Sequence, residues 1–374
     1  MKKKILIFSG SRADYGLLKP VVIKLKKRFK TLVCCGPQHF SSKFNYTFKE
    51  IEKDRVKINS KIKIDISKTN ISEIIQIISK SLIKINSELD RLKPDLVLVL
   101  GDRYEVFSTV ICAYLKNIKL AHIHGGEVSE GSFDEGLRHS ITKMSNLHFV
   151  SHFKHKKNVI QLGEHPNTIH NVGALGAENV ENISKILKRK KNNADNYILV
   201  TFHSETKNLV KNLATLKNIF KLIKLNKDFK FYFTNSNSDT DGIKINKLIN
   251  NFCKNNRERV FNLKSLGHKN YLEKMYNAKM IIGNSSSAII EGSTFKIPSL
   301  NIGTRQKGRL VSNNIVTSSH NFTSMQQSFQ KALKIKKNKI KKIFYKKGTA
   351  NIICNQIEKY LKKKIYPNKK FYEI

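Results

Sequence analysis

Short apolar runs alternate with longer amphipathic stretches along most of this chain, and this alternation limits its possible folds more than any other feature. Lys4–Phe8, Thr31–Cys35 and Asp95–Leu100 are typical of buried strands. Ile71–Leu92 instead carries apolar side chains at helical spacing and ends just before Pro94. Because strands that alternate with helices form βαβ units, the pattern predicts parallel sheets covered by helices.

The strand pattern occurs twice along the 374 residues, which predicts two domains. Further strands are expected in the first half at residues 120–123, 148–150 and 169–172. The second half is expected to hold strands at residues 197–202, 229–233, 260–263, 280–282 and 298–302, and the last of these is expected to be the final strand. Gly176–Asp195 is polar and rich in lysine, as a domain connection would be, with room for one short helix.

The predicted fold is therefore α/β, with two doubly wound Rossmann-like domains facing across a cleft. The predicted ranges are 1–175 for an N-terminal domain and 176–350 for a C-terminal domain. Residues 351–374 form a C-terminal helix and tail, which we expect to pack back on the N-terminal domain. Ligands of such sheets bind outside the carboxyl ends of the strands, which places the expected site in the cleft.

The net charge of +42 comes from 70 Lys+Arg and 28 Asp+Glu, a balance that often indicates nucleic acid or an anionic membrane as a partner. Here 59 of the basic residues are lysine and 11 are arginine, and the lysines occur in every segment. Arginine is the residue that reads bases and clamps phosphates, so we expect no nucleic-acid partner. No apolar run reaches ~20 residues, and the five cysteines contain no Cys-x-x-Cys pair. We therefore expect no membrane partner and a cytoplasmic location.

Polar residues cluster where the predicted strands of the first half end. Gly10-Ser11-Arg12 follows the first strand, and Asp102-Arg103 follows Asp95–Leu100. His122-Ile123-His124-Gly125-Gly126-Glu127 ends the next strand, and Asp134-Glu135 follows shortly. Carboxylates in one cleft suit proton abstraction and return, although Asp and Arg together at a strand end more commonly form a structural ion pair. Two histidines without a third ligand of a recognised pattern predict no metal site.

The second half combines hydroxyl groups, amides and cations at its strand ends. His203 follows one strand, Asn237 follows another, and Gly283-Asn284-Ser285-Ser286-Ser287 precedes a helix that contains Glu291. Small hydroxyl residues at a helix N-terminus bind phosphate through N–H and O–H donors; an ordinary serine N-cap with a surface glutamate is the alternative. Arg305 adds a cation after the 298–302 strand. The pattern predicts a phosphate site with a carboxylate for ribose hydroxyls.

Several ordered blocks together resemble the hydrolysing UDP-N-acetylglucosamine 2-epimerases, in particular the bacterial sialic-acid-pathway branch that releases N-acetylmannosamine. The resemblance covers nearly the whole chain. Its blocks are GSRADYG (10–16), GDRYE (101–105), HIHGGE (122–127), DEGLRHSITKMS (134–145), LGEHP (162–166), GALGAEN (173–179), FHSET (202–206), GNSSS (283–287) and NIGTRQKGR (301–309). Ser204 stands where family members often have proline.

This resemblance implies a glycosyltransferase-B fold, a homodimer, and no metal or nicotinamide cofactor. It implies elimination of UDP from UDP-N-acetylglucosamine to a 2-acetamidoglucal, followed by addition of water with inversion at C2. It further implies acid–base roles for Asp102, Glu127 and one of Asp134 and Glu135, and help from His203 at the departing diphosphate. Nucleotide contacts are implied for a second set of residues, namely Arg12, Arg103, Asn237, Ser285, Ser286, Glu291 and Arg305.

Three other functions remain open at this point. The same reaction on UDP-N,N′-diacetylbacillosamine, in the legionaminic acid route, would use the same motifs. A glycosyltransferase of the same architecture would need an acceptor site and no crowded carboxylates. A basic nucleic-acid-binding protein would need arginine and aromatic stripes on one face, whereas the basic residues here are scattered lysines. The sequence leaves open the C4 and C6 substituents of the sugar, the oligomer geometry and any feedback regulation.

Overall fold

A computed structural model of the chain describes residues 2–66, 70–187, 196–205, 209–236, 242–263, 266–363 and 369–374. The chain folds into two compact units. The first unit contains Met1–Glu127, Asp134–Glu178 and Lys346–Ile374, and the second contains Val128–Phe133 and Asn179–Tyr345. The predicted assignment of acid–base chemistry and nucleotide binding to separate domains across a cleft stays a prediction.

The first unit is built on a seven-stranded sheet in which all the paired strands run parallel. The strands are β1 (Lys4–Ser9), β2 (Lys30–Cys35), β3 (Ser60–Lys61), β4 (Leu96–Leu100), β5 (Lys119–Ile123), β6 (Leu147–Val150) and β7 (Ile169–Asn171). Their order is β3-β2-β1-β4-β5-β6-β7, so the winding direction reverses between β1 and β4. In doubly wound sheets this reversal opens a crevice at the carboxyl ends of the strands.

Helices follow most of these strands. They are α1 (Arg12–Lys26), α2 (Phe48–Lys53), α3 (Ile71–Leu92), α4 (Tyr104–Leu115), α5 (Asp134–Met144), α6 (Phe153–Gln161) and α7 (Leu175–Leu187). All five residues of β4 are buried, as expected for a strand covered on both faces. The C-terminal helix, Thr349–Leu361, buries Ile353 and Ile357 in the same core cluster as Leu18 and Val21 of α1.

The second unit contains a six-stranded parallel sheet with the order β10-β9-β8-β11-β12-β13. Its strands are β8 (Tyr197–Thr201), β9 (Lys230–Phe233), β10 (Val260–Asn262), β11 (Met280–Gly283), β12 (Ser299–Ile302) and β13 (Ile315–Ser318). Its helices are α8 (Leu209–Leu225), α9 (Gly242–Lys254), α10 (Gly267–Asn277), α11 (Ser286–Phe295) and α12 (Phe322–Leu333). The C-terminal helix of the first unit, Thr349–Leu361, is α13. The winding direction reverses between β8 and β11.

The structure confirms the α/β class and the two doubly wound parallel sheets, and it corrects two details of the strand prediction. The final strand is β13, not 298–302 as predicted, and the short strand β3 was not predicted. Both lie at sheet edges, where one side of the strand is unpaired. β13 is only partly buried and β3 has two residues, so neither shows the continuous apolar run of a central strand. Within the described ranges, every helix is too short or too polar to serve as a membrane-spanning segment.

Candidate active site

The loop between β1 and α1 brings Arg12 to the carboxyl edge of the first sheet. Ser11 is the N-cap of α1, and its N–H donates to Asp14 Oδ2 at 2.9 Å while its hydroxyl accepts from the Asp14 N–H at 3.4 Å. This capping box places Arg12 at the first position of the helix. Burial raises the pKa of Asp14 to about 6. Gly36 packs against Gly10, because a Cβ on Gly36 would lie 3.1 Å from the Gly10 Cα atom.

The end of β4 presents Asp102 and Arg103 one strand away from Arg12. Gly101 has a φ of +78°, which turns the chain sharply out of the sheet. Arg103 Nε lies 3.2 Å from Oε2 of the fully buried Glu105, whose Oε1 accepts from the Gln38 side chain at 2.7 Å. The backing carboxylate holds the Arg103 guanidinium in place and leaves only 18% of its side chain exposed.

Arg138 joins the carboxylates that follow β4 and β5. Its guanidinium is buried and donates to the Asp102 carboxylate, to Glu135 Oε2 at 2.9 Å and to the Glu127 carbonyl oxygen at 2.9 Å. Burial disfavours its charge, but these acidic neighbours prevail and raise the pKa of Arg138. The motif pattern alone assigned Arg138 no role. The sequence did contain one indication of its pairing, because Arg138 follows Glu135 at the i,i+3 spacing that brings two helical side chains together.

Glu135 and Asp134 differ in their surroundings at the start of α5. Glu135 Oε1 lies 3.0 Å from His139 Nε2, and Oε2 accepts from Arg138. Each carboxylate oxygen of Glu135 therefore contacts a different side chain of α5. Asp134 is the first residue of α5 and is partly exposed.

Glu127 lies at the centre of a buried hydrogen-bonded chain beyond β5. Its Oε1 is 2.9 Å from His124 Nδ1 and accepts from the Ser151 hydroxyl at 2.8 Å. The Ser151 oxygen lies in turn 2.9 Å from His155 Nδ1. All four of these residues are buried. The carboxylate is thereby fixed in orientation by groups from the loops that follow β5 and β6.

His122 has a structural position, although it lies only two residues from His124. Its Nε2 is 2.8 Å from the Gly101 carbonyl oxygen, and its Nδ1 is 3.1 Å from Thr142 Oγ1. Burial lowers the pKa of His122 to about 3, so the ring is neutral at physiological pH. It links β5 to the β4 turn that carries Asp102 and to α5. Among the described residues, no group of three or more His, Cys, Asp or Glu side chains is arranged to hold a metal ion.

In the second unit, Asn284 ties the β8 and β11 loops together. Its Oδ1 accepts from the His203 N–H at 2.7 Å, and its Nδ2 donates to the His203 carbonyl oxygen at 2.9 Å. Gly283 has a φ of +135°, and a Cβ there would overlap the Thr201 carbonyl. The close approach of these two strand ends therefore requires glycine and fixes the backbone of His203.

The β11–α11 turn places hydroxyl groups at a helix N-terminus, as predicted. Ser285 is the N-cap of α11 and accepts from the Ser287 N–H at 3.4 Å, and Ser286 is the first residue of the helix. The Ser287 hydroxyl is 2.6 Å from the Tyr271 hydroxyl. Glu291 is buried, with 8% of its surface exposed, so the alternative of a surface glutamate is wrong. Asn237, the remaining predicted nucleotide contact, lies outside the described residues.

Arg305 reaches the same turn from the end of β12. Its guanidinium donates to the Asn284 carbonyl oxygen at 3.2 Å. The fully buried Glu205 accepts from the Thr304 N–H and the Thr304 hydroxyl, both at 2.8 Å, and from the Arg305 N–H at 3.2 Å. Sequence reasoning gave Glu205 no role beyond its place in the FHSET block, because its joining of two loops depends on tertiary contacts. The structure thus brings His203, Ser285 and Arg305 to one edge of the second sheet.

The segment between Glu127 and Asp134 packs within the second unit. The Glu130 N–H donates to the Lys307 carbonyl oxygen at 3.0 Å, and the two side chains form an ion pair at 3.0 Å. A Cβ on Gly131 would overlap the Thr304 backbone, so only glycine fits there. Two of the acid–base candidates, Glu127 and Asp134, are therefore the residues that flank this segment along the chain.

Comparison with solved structures shows the fold. The structure resembles that of Methanocaldococcus jannaschii UDP-GlcNAc 2-epimerase in complex with UDP-GlcNAc and UDP, with a TM-score of 0.80 and 24% identity over 95% of this chain and 99% of that one. It also resembles Neisseria meningitidis UDP-GlcNAc 2-epimerase bound to UDP-GlcNAc, with a TM-score of 0.78 and 18% identity over 95% and 100% of the two chains. These similarities show the predicted glycosyltransferase-B-type fold.

The sequence comparison then gives the family. The family model for UDP-N-acetylglucosamine 2-epimerase matches residues 22–358, and the chain belongs to this family of UDP-sugar 2-epimerases. Campylobacter jejuni GDP/UDP-N,N′-diacetylbacillosamine 2-epimerase (hydrolyzing) is 36% identical over 338 residues, 88% of this chain and 87% of that protein. The Escherichia coli polysialic acid biosynthesis protein P7 is 36% identical over 82% and 80% of the two chains. The Legionella pneumophila UDP-N,N′-diacetylbacillosamine 2-epimerase (hydrolyzing) is 29% identical over 96% of each chain.

Proposed function

We propose that this protein is a hydrolysing 2-epimerase, which releases UDP and the free C2-inverted sugar from a UDP-linked 2-acetamido sugar. The observation that carries this proposal is the set of carboxylates around Arg138, because a glycosyltransferase would not need several acids at one strand edge. Asp102 and Glu135 contact the Arg138 guanidinium, and the Glu127 carbonyl accepts from it. The names of the Campylobacter and Legionella relatives support the hydrolysing reaction.

The preferred substrate that we propose is UDP-N,N′-diacetylbacillosamine. Two relatives that match 88% and 96% of this chain carry this sugar in their names. UDP-N-acetylglucosamine, the substrate implied by the resemblance, is the second candidate. It is supported by the relative named for polysialic acid biosynthesis and by a Neisseria UDP-N-acetylglucosamine 2-epimerase that is 24% identical.

The proposed reaction has two proton-coupled steps. A base removes the C2 proton, the electron pair of the C2–H bond forms the C1=C2 double bond, and the C1–O bond breaks with release of UDP. Water then adds its oxygen to C1 and loses a proton, while an acid delivers a proton to the opposite face of C2. A proton beside an acetamido group is weakly acidic, so base and leaving-group assistance must be positioned together.

We propose roles for the acidic residues that are supported by their contacts. We assign acid–base chemistry to Asp102, Glu127 and Asp134. Glu135 is assigned to fixing Arg138, because its oxygens already contact Arg138 and His139. Of the two adjacent acids at the start of α5, we thus propose Asp134 as the acid–base group.

We propose that residues at the strand ends of the second sheet bind the departing nucleotide. His203 assists the departing diphosphate, and Glu291 accepts hydrogen bonds from the ribose. The helix N-terminus after β11 offers N–H and O–H donors to phosphate oxygens. The nucleotide contacts proposed at the second sheet are Ser285, Ser286 and Arg305. Arg12 and Arg103 of the first sheet, and Asn237, stay predicted nucleotide contacts.

The test is conversion of UDP-N,N′-diacetylbacillosamine, UDP-N-acetylglucosamine and their GDP analogues by the purified protein in D2O. We expect free UDP and a C2-inverted sugar carrying deuterium at C2. UDP release with an unlabelled, uninverted sugar would reject the mechanism, and an inverted sugar still attached to UDP would show a non-hydrolysing epimerase. Glu127→Gln should lose turnover yet retain UDP binding, and loss of UDP binding would instead indicate a nucleotide-holding role.

We also propose that the protein works in the cytoplasm, as its cysteine pattern predicts, and as a homodimer, as the resemblance implies. Ile75 and Ile83 of α3 and Leu115 at the end of α4 are exposed apolar side chains that a second copy would cover. Light scattering on the purified protein should give twice the chain mass of 43.0 kDa. A monomer at micromolar concentration would contradict the assembly.

A further inference from the structure

His124 occupies a strained position directly after β5. Its φ of +69° lies in the left-handed region, which is uncommon for a residue other than glycine. Its backbone N–H donates to the Phe149 carbonyl oxygen at 2.8 Å, and its side chain is 10% exposed. Backbone strain of this kind persists where the surrounding structure holds it, and it is concentrated at functional sites.

The contacts of Glu127 determine the tautomer of His124. An ionised carboxylate oxygen only accepts hydrogen bonds, and Glu127 Oε1 lies 2.9 Å from His124 Nδ1. Nδ1 must therefore carry the hydrogen. The Ser151 hydroxyl donates to the same oxygen and so accepts from His155 Nδ1, which satisfies the chain behind the carboxylate. In the neutral imidazole, the lone pair is then on His124 Nε2.

This lone pair accepts no hydrogen bond from the described residues. His124 Nε2 is buried and has no hydrogen-bond partner among the described residues. Buried polar atoms are paired in the great majority of cases, so such an atom calls for an explanation. His122, on the strand that ends just before His124, provides the contrast, because both of its ring nitrogens have partners, at 2.8 and 3.1 Å.

The histidine belongs to the carboxylate cluster of the first sheet. Arg138 donates both to the Glu127 carbonyl and to the Asp102 carboxylate. His124 and Glu127 are therefore linked through one guanidinium to the other proposed acid–base group. A carboxylate that orients an imidazole and stabilises its cation is an established arrangement for proton transfer.

We infer that His124 Nε2 is the atom that takes the C2 proton of the substrate, and that Glu127 orients the ring and stabilises the imidazolium. This inference deepens the proposed function and rests on it, and it changes the part of Glu127 from direct proton transfer to support of the ring that takes the proton. The C2 proton moves to Nε2, the C2–H electron pair forms the C1=C2 bond, and UDP leaves with the electron pair of the C1–O bond. The second proton, on the opposite face of C2, comes from a different acid.

Two amide substitutions at His124 test the roles of its two ring nitrogens separately. His124→Asn places an amide nitrogen near the Nδ1 position and keeps the contact with Glu127, whereas His124→Gln places one near the Nε2 position. Neither amide titrates, so we expect kcat to fall about 10²–10⁴-fold in both variants. UDP affinity, measured by calorimetry, should stay within about threefold of wild type, which also shows that the variants fold.

A double mutant tests the pairing of the two residues. Groups that act as one unit lose activity non-additively, so His124→Asn combined with Glu127→Gln should be no slower than the slower single variant. Wild-type kcat in His124→Asn, or multiplicative losses in the double mutant, would overturn the inference. Failure of the wild-type protein to place deuterium at C2 would instead reject the proposed function itself.

Discussion

At the scale of single residues, Arg138 has the largest structural consequence in the candidate site. It is buried and contacts two carboxylates and a carbonyl oxygen. Three acids close together repel one another, and a buried cation among them offsets that repulsion. The guanidinium fork also fixes geometry in a way that a lysine ammonium cannot.

We predict that Arg138→Met lowers both stability and turnover. The change leaves the Asp102 and Glu135 carboxylates without their cation, and breaking such a pair costs about 3–5 kcal/mol. Arg138→Lys should give an intermediate effect, since it restores the charge but not the fork. Urea unfolding and kcat/KM measure the two losses. Arg28→Met, which removes a surface ion pair with Glu358, is the control and should leave both unchanged. Wild-type kcat/KM in Arg138→Met would remove the residue from the mechanism.

At the scale of elements, the loops after β8, β11 and β12 are joined by two buried polar side chains. Asn284 binds both backbone groups of His203, and Glu205 binds the N–H groups of Thr304 and Arg305. These bonds hold three loops from strands that are neighbours in the sheet. The proposed diphosphate site is therefore preorganised by contacts that do not themselves touch the nucleotide.

We predict different outcomes for two substitutions at Glu205. Glu205→Gln keeps an oxygen for the Thr304 and Arg305 N–H groups, and its new NH2 group can donate to the Thr304 hydroxyl. Glu205→Leu leaves those donors unpaired, which costs about 1–3 kcal/mol for each buried group. Calorimetry should show strongly weakened UDP binding for Glu205→Leu and near-normal binding for Glu205→Gln. Equal binding by the two variants would contradict the loop-joining role, and Glu130→Gln, in an exposed ion pair, is the neutral control.

At the scale of the whole molecule, buried titratable groups make stability depend on pH. Burial lowers the pKa of His39 to about 4 and that of His122 to about 3. Below pH 6.5 the unfolded chain binds protons at these residues and the folded chain does not, so stability falls as pH falls. Asp14 acts in the opposite direction, because burial raises its pKa to about 6 and the folded state then binds the extra proton between about pH 4 and 6.

Burial also lowers the pKa of His170 to about 4, so the histidines outweigh Asp14. The free energy of unfolding is therefore expected to fall as pH falls between about 6 and 4.5, which gives it a positive slope against pH. Urea unfolding at a series of pH values measures this slope. His39→Gln removes one of the buried histidines and should flatten the curve, whatever its effect at neutral pH. An unchanged slope in this variant would show that His39 is accessible to protons in the folded state.

Much of the fold was predictable because its central strands appear in the sequence as local apolar runs. The central strands β4 and β8 are continuous apolar runs, and Ile71–Leu92 has both the spacing and the stop signal of a helix. The edge strands β3 and β13 were not predicted, since half-exposed strands lack such a run. Their pairing depends on a neighbouring strand distant in sequence, which local periodicity does not report.

The sequence by itself determined the α/β class, the family and the order of the polar strand ends, because each depends on residue type and spacing along the chain. Only the tertiary structure decided which side chains meet. It placed Arg138 among the acids, gave both nitrogens of His122 partners, and left His124 Nε2 without one among the described residues. The reason is physical: hydrogen bonding and burial are set by distances between strands that lie far apart in sequence, and those distances exist only once the sheets have formed.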